Sequence, residues 1–165
     1  MSDRLAQFLG PELLKMVSDG QKLLNLNSND FYDYSFALFP VAKAYEGYLK
    51  KLFFSLGAIS QNQYESDHWR VGKALNPQLE KEIRHEESVY DRIVEKCGSP
   101  DPHSSPETTG QKQADMFWES WRKGRNQVFH YFPSHYRPLS ALQAKEISDE
   151  ILLAMEDGLV SCHPS

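Results

Sequence analysis

Residues 31–56 constrain this chain more than any other segment. Leu38, Val41, Tyr45, Tyr48 and Leu52 recur at steps of three and four, and Phe39, Ala42, Leu49 and Phe53 form a second stripe beside them. Two adjacent stripes make an apolar arc too wide for a surface helix, so the spacing predicts a central helix packed on several sides. Pro40 has no amide hydrogen to donate and is expected to kink it. Gly57 is expected to end it.

The remaining chain supplies helices to pack around that one. Residues 3–19 form a short helix with Leu5, Phe8, Leu13 and Leu14 on its apolar face, interrupted at Gly10-Pro11. The polar turn at 25–30 caps the start of the central helix. A short helix is expected near 64–74. An outer helix comes next at 78–96, with Leu79, Ile83, Tyr90 and Ile93 as its seam and the acidic run of 80–95 facing water. Proline, serine and glycine make 98–110 a mobile loop. Residues 111–132 read as a helix that buries Ala114, Phe117, Trp121, Val128 and Phe132, with Pro133 as its stop. Ser140 and Gln143 form a capping box for a last helix, 141–160, whose seam is Ile147, Ile151, Ala154, Met155 and Leu159. No alternating pattern indicates a strand. The expectation is a single domain over 1–165, an all-α bundle of four to five helices.

Composition excludes several classes of function. No segment approaches the ~20 apolar residues of a membrane span, and the first residues, MSDRLAQFLG, carry no signal-peptide pattern. Cys97 and Cys162 stand far apart in unlike contexts, without the paired spacing of a zinc site, so reduced thiols, a cytoplasmic location and no metal are expected. No motif calls for a cofactor. The net charge of −5 argues against a broad grip on duplex phosphates, so any contact with nucleic acid must use a local basic patch.

Two features resist a purely structural reading. Glu46 sits within the stripe Phe39, Ala42, Leu49, Phe53, where spacing predicts burial, and a buried carboxylate needs a partner. The plainer alternative is a glutamate at the stripe's edge, reaching water or pairing with Lys50 one turn on. The second feature is WRKGRNQVFHYFP, residues 121–133. It gathers Arg122, Lys123 and Arg125 in an otherwise acidic chain, and it sets Asn126 and His130 four apart, on one helix face. Histidine titrates near pH ~6.5 and suits proton transfer, while arginine is a fixed fork donor to phosphate. His68 and His85 read as solvent-facing. His135 and Tyr136 either line the mouth of a cleft or belong to an ordinary loop, with the loop favoured. Trp69, Trp118 and Trp121 have the shape to stack on bases, though the spacing of Trp121 makes it core.

The element Arg125-Asn126-Gln127-Val128-Phe129-His130 resembles the Arg-polar-x3-His signature of HEPN domains, and residues 32–57, YDYSFALFPVAKAYEGYLKKLFFSLG, resemble the long helix of the RNase LS toxin family. The resemblance implies a metal-independent endoribonuclease, the toxin of a toxin–antitoxin or anti-phage system. In it Arg125, His130, Asn126 and Glu46 would be the catalytic set, with Arg122 and Lys123 on the RNA. It also implies a homodimer that faces two signatures across one cleft, and an antitoxin protein as partner. Those toxins carry further domains before the HEPN unit, so a stand-alone relative and an isolated domain both remain open. A second HEPN group modifies a tyrosine two residues after the histidine. Here Phe132 holds that position and Tyr131 precedes it, so that form of regulation is not expected. The alternative is a non-catalytic HEPN-like module that binds a partner protein or a nucleotide.

Overall fold

The structure, a computed structural model, describes residues 1–26, 31–80, 88–97 and 106–163. Ile83, His85, His103 and most of the loop expected at 98–110 lie outside the described residues. Seven helices and no strand occur among the described residues: α1 (Asp3–Leu24), α2 (Ser35–Ser55), α3 (Gln61–Glu65), α4 (Val71–Ala74), α5 (Val89–Lys96), α6 (Pro106–Trp121) and α7 (Ala141–Cys162). The all-α class is as the sequence indicates. The higher count arises because the region expected as one helix near 64–74 forms two short pieces, α3 and α4.

The centre of the molecule is α2. Ala37, Leu38, Val41, Ala42, Tyr45, Tyr48, Leu49, Leu52 and Phe53 are all buried, and α1 and α7 pack against this helix. Each of the aliphatic and phenyl side chains among them larger than alanine contributes about 1.5–3 kcal/mol on full burial. Two buried tyrosines add directional bonds. The Tyr45 hydroxyl donates to the Phe117 carbonyl at 3.1 Å, and the Tyr48 hydroxyl donates to the Met155 carbonyl at 2.8 Å. They fix α2 against α6 and α7 in register as well as in contact. Phe39 departs from the expected stripe. It is 56% exposed, and its ring stands edge-on to that of Phe129.

Local chemistry explains the helix ends. α1 starts at Ser2, whose hydroxyl accepts from the Leu5 amide, breaks at Gly10 and resumes through Pro11 as far as Leu24. α2 continues through Pro40 and stops at Gly57, whose φ of 62° lets the Ala58 amide reach the Phe53 carbonyl at 2.7 Å. α7 begins with the expected capping box of Ser140 and Gln143. It buries Ile151, Ala154, Met155 and Leu159. Residues 106–110, expected in the loop, form the first turns of α6.

The cysteines correct the expectation of reduced thiols. Cys97, just after α5, and Cys162, the last residue of α7, form a disulfide with a Cα–Cα distance of 4.1 Å. Two helix ends that are distant in sequence converge in space, which spacing alone does not reveal. The bridge spans 65 residues of sequence. The chain-entropy argument gives it roughly 4 kcal/mol. Thermal melts with and without reductant, and of Cys162→Ser, should therefore show a clear loss of stability when the bridge is absent. Superimposable melts would mean that the two thiols are not bridged.

Candidate active site

The site grows from a defect in a helix. α6 ends at Trp121, and Arg122–Asn126 form a π-helical turn in which the Gln127 amide bonds to the Arg122 carbonyl at 2.9 Å. Gly124 lets this turn lie close against α7: a Cβ there would stand 2.5 Å from the tip of the Ile151 side chain, which would have to shift. Single π turns recur at functional sites because they redirect the side chains beyond them. The helix expected to reach 132 is thus replaced by turns beyond Asn126, so Asn126 and His130 do not stack as neighbours on one helix face. Val128 and Phe132 are only half-buried for the same reason.

The redirected turn pairs every cation with a carboxylate. Arg125 reaches α2, where its Nε lies 3.2 Å from Glu46 Oε2, and its guanidinium sits 5.1 Å from the Trp121 ring centroid. Glu46 is not buried. Its side chain is 31% exposed and that of Arg125 40%, which places the pair at the edge of the core, where it contributes about 0–1 kcal/mol. Its job is orientation rather than stability. The alternative partner, Lys50, donates instead to the Ser66 carbonyl at 3.2 Å. Arg122 binds Glu119 at 2.5 Å, and this hydrogen bond holds the Glu119 carboxyl below its usual range. Lys123 pairs with Glu150 at 3.0 Å.

Asn126 separates two cavities. One, of about 340 Å³, is lined by Glu46, Arg70, Trp118, Trp121 and Arg125. The other, of about 540 Å³, is lined by Arg122, Lys123, His130, His135, Tyr136 and Arg137. Asn126 lines both. The six residues singled out from the sequence therefore gather around one turn, but Arg125 and Glu46 open on one side of Asn126 and His130 on the other. His135 and Tyr136, favoured as plain loop residues, line the larger cavity. His68 is exposed and Trp121 is core, as expected. Among the described residues no cluster of three potential metal ligands occurs.

Sequence reasoning missed the residue that holds the far wall of the larger cavity. Asp33, just before α2, accepts from the Ser35 amide at 2.9 Å, the Ser35 hydroxyl at 2.5 Å, the Leu139 amide at 3.2 Å and the Tyr136 hydroxyl. The Tyr34 amide adds a bond to the Leu139 carbonyl at 2.9 Å. Residues 33–35 thus clamp the segment that carries His135 to Arg137. The one available signal was an aspartate two residues ahead of a serine at a helix start, a pattern that caps locally. Nothing in it points to residue 136.

This clamp titrates at both ends. Burial works to raise the Asp33 carboxyl, but the bonds from Ser35, Tyr136 and Leu139 outweigh it and hold the group below its ordinary value. A lowered carboxyl stabilises the fold above the unfolded value of ~3.9 and loses that contribution as pH falls through the folded one. Tyr136 is pushed up to about 12 by its bond to Asp33. The neutral phenol is the favoured form, so this contribution is complete below pH ~10 and is lost as pH rises toward the folded value. The Leu139 amide, which donates to Asp33, should report the clamp, its resonance moving as pH falls through the folded Asp33 value and again as pH rises toward that of Tyr136. In Tyr136→Phe the alkaline movement should vanish while the acid one persists. An unchanged alkaline limb in that variant would show that the clamp does not govern the loop.

No protein-family model, curated protein or solved structure matches this chain.

Proposed function

We propose that the chain is a metal-independent endoribonuclease that cleaves RNA through attack by the 2′-hydroxyl. The observation that supports it most is the meeting of Arg125, oriented by Glu46 and Trp121, and His130 on either side of Asn126, beside a cavity that also carries Arg122, Lys123 and Arg137. In such a reaction the O2′–P bond forms and the P–O5′ bond breaks. One proton leaves the 2′-hydroxyl and another reaches the departing 5′-oxygen. His130 suits proton transfer near neutral pH. Arg125 is the residue type suited to the charge that builds on the non-bridging oxygens, and Asn126, which lines both cavities, carries an amide able to hold a phosphate oxygen. Arg122 and Lys123 are tied to carboxylates by exposed pairs worth little, which a polyanion can displace. The biological setting we infer is that of a toxin or defence effector held by an antitoxin protein. A homodimer would double these cavities and cover exposed aromatics such as Phe39 and Tyr131.

One observation favours the second reading, a non-catalytic helical module that binds a partner protein or a nucleotide. Arg125 and His130 open into different cavities, and Arg125 is already paired. Incubation of the purified chain with total RNA in EDTA separates the two. The ribonuclease reading expects cleavage to persist and to fall by about 10²–10⁴-fold in His130→Ala, as is usual when a proton-transfer group is lost. Intact RNA, or equal cleavage by His130→Ala, would leave the binding module as the better account.

A further inference from the structure

Cleavage by 2′-hydroxyl attack moves two protons, one off and one on, and the signature histidine supplies a single group. The larger cavity contains a second imidazole. His130 and His135 both line it, and both are exposed at its surface. The Phe132 ring contacts each of them, stacked on His135 at 4.8 Å between centroids with 15° between planes, and edge-on to His130 at 6.2 Å. Ser134 Oγ lies 2.9 Å from His135 Nδ1, which fixes the ring and leaves Nε2 free for a ligand. The clamp through Tyr136 and Asp33 holds this stretch of chain in place.

The charges around these rings select an anion. Arg122, Lys123 and Arg137 line the same cavity, and no carboxylate does so among the described residues. Glu119 and Glu150 stand behind Arg122 and Lys123, and Asp33 is engaged by Tyr136. Arg137 makes no ion pair with a described residue, so it is the cation most ready to take a phosphate. About 540 Å³ lies in the range of sites for small ligands of nucleotide size.

We propose that this cavity is a phosphodiester-binding site within one chain, in which His130 and His135 flank the same phosphate and serve as its acid–base pair. The assignment of the pair rests on the ribonuclease reading; the binding of phosphate does not. His130 and His135 exchange the two protons, one accepting from the 2′-hydroxyl and the other donating to the 5′-oxygen. The second imidazole then comes from the same chain, whatever the assembly.

Two arms test this. In the first, histidine ring resonances, assigned with His→Gln variants, are tracked as inorganic phosphate is added to the intact chain. The signals of His130 and His135 should move together along one saturation curve, those of His68 and His163 should stay still, and Arg137→Gln should weaken both responses about tenfold. Movement of one imidazole alone, or two unrelated curves, would overturn the proposal. In the second arm, cleavage of a single-stranded RNA in EDTA should show a bell-shaped pH profile. His130→Ala and His135→Ala should each lose about 10²–10⁴-fold in rate and one limb of the bell, and a mixture of the two variants should remain inactive. Full activity of His135→Ala, or recovery in the mixture, would overturn the single-chain pair. A wild-type chain that binds phosphate at both rings yet leaves RNA intact would retain the binding site and remove the ribonuclease reading instead.

Discussion

The two tyrosine hydroxyls of α2 set the geometry on which everything else depends. Tyr45 bonds the Phe117 carbonyl of α6 and Tyr48 bonds the Met155 carbonyl of α7, both in the dry core. Leaving either donor unpaired there would cost about 1–3 kcal/mol, so the register of three helices is narrowly defined. Phe117, Trp121 and Arg125 then recur at intervals of four residues, and Glu46 stands directly after Tyr45. The contact between Glu46 and Arg125, 79 residues apart, is a consequence of that register rather than an independent event.

The same register explains the π turn. With α6 pinned at Phe117 and α7 at Met155, the chain after Trp121 passes close to Ile151, and a Cβ at 124 would require the tip of that side chain to shift. The widened turn then directs its cations to three different elements, Glu46 on α2, Glu119 on α6 and Glu150 on α7. An acidic protein thereby acquires a local basic surface without repulsion among its own arginines. Since these pairs are half-exposed, each holds its side chain in place and still yields to a competing anion.

Patterns of period 3.6 made the buried faces of α2 and α7 legible, because burial there comes directly from spacing, and the capping box of α7 was legible too. The start of α2 was not, since the helix begins at Ser35 behind Tyr34 with no side-chain cap rather than at 31 behind the polar turn of 25–30. Glu46 stood out as a carboxylate within an apolar stripe, and Arg125 and His130 as a basic group in an acidic chain. The site's partition was not legible. A π turn differs from an α turn by one residue of hydrogen bonding, and Gly124 alone does not announce it. Phe39 keeps to the stripe in sequence but is 56% exposed, while the adjacent Leu38 is buried. The Asp33–Tyr136 bond and the Cys97–Cys162 bridge join residues 103 and 65 apart, and no local pattern encodes such pairs. The bridge also removes the support that reduced thiols lent to a cytoplasmic location, since disulfides persist mainly in oxidising surroundings. Among the described residues no helix is long and apolar enough to cross a membrane.

The central claim is that the turn at Arg125, Asn126 and His130 acts on an RNA phosphodiester by way of the adjacent 2′-hydroxyl. It is tested most directly on a short RNA that the chain cleaves at a mapped position, resynthesised with a single 2′-deoxynucleotide on the 5′ side of the scissile phosphate. With EDTA present throughout, the all-ribose strand should yield a 2′,3′-cyclic phosphate end, read by mass, and the deoxy-substituted strand should remain whole at that position. Cleavage of the substituted strand at the same bond, or cleavage that appears only with added divalent metal, would contradict the account.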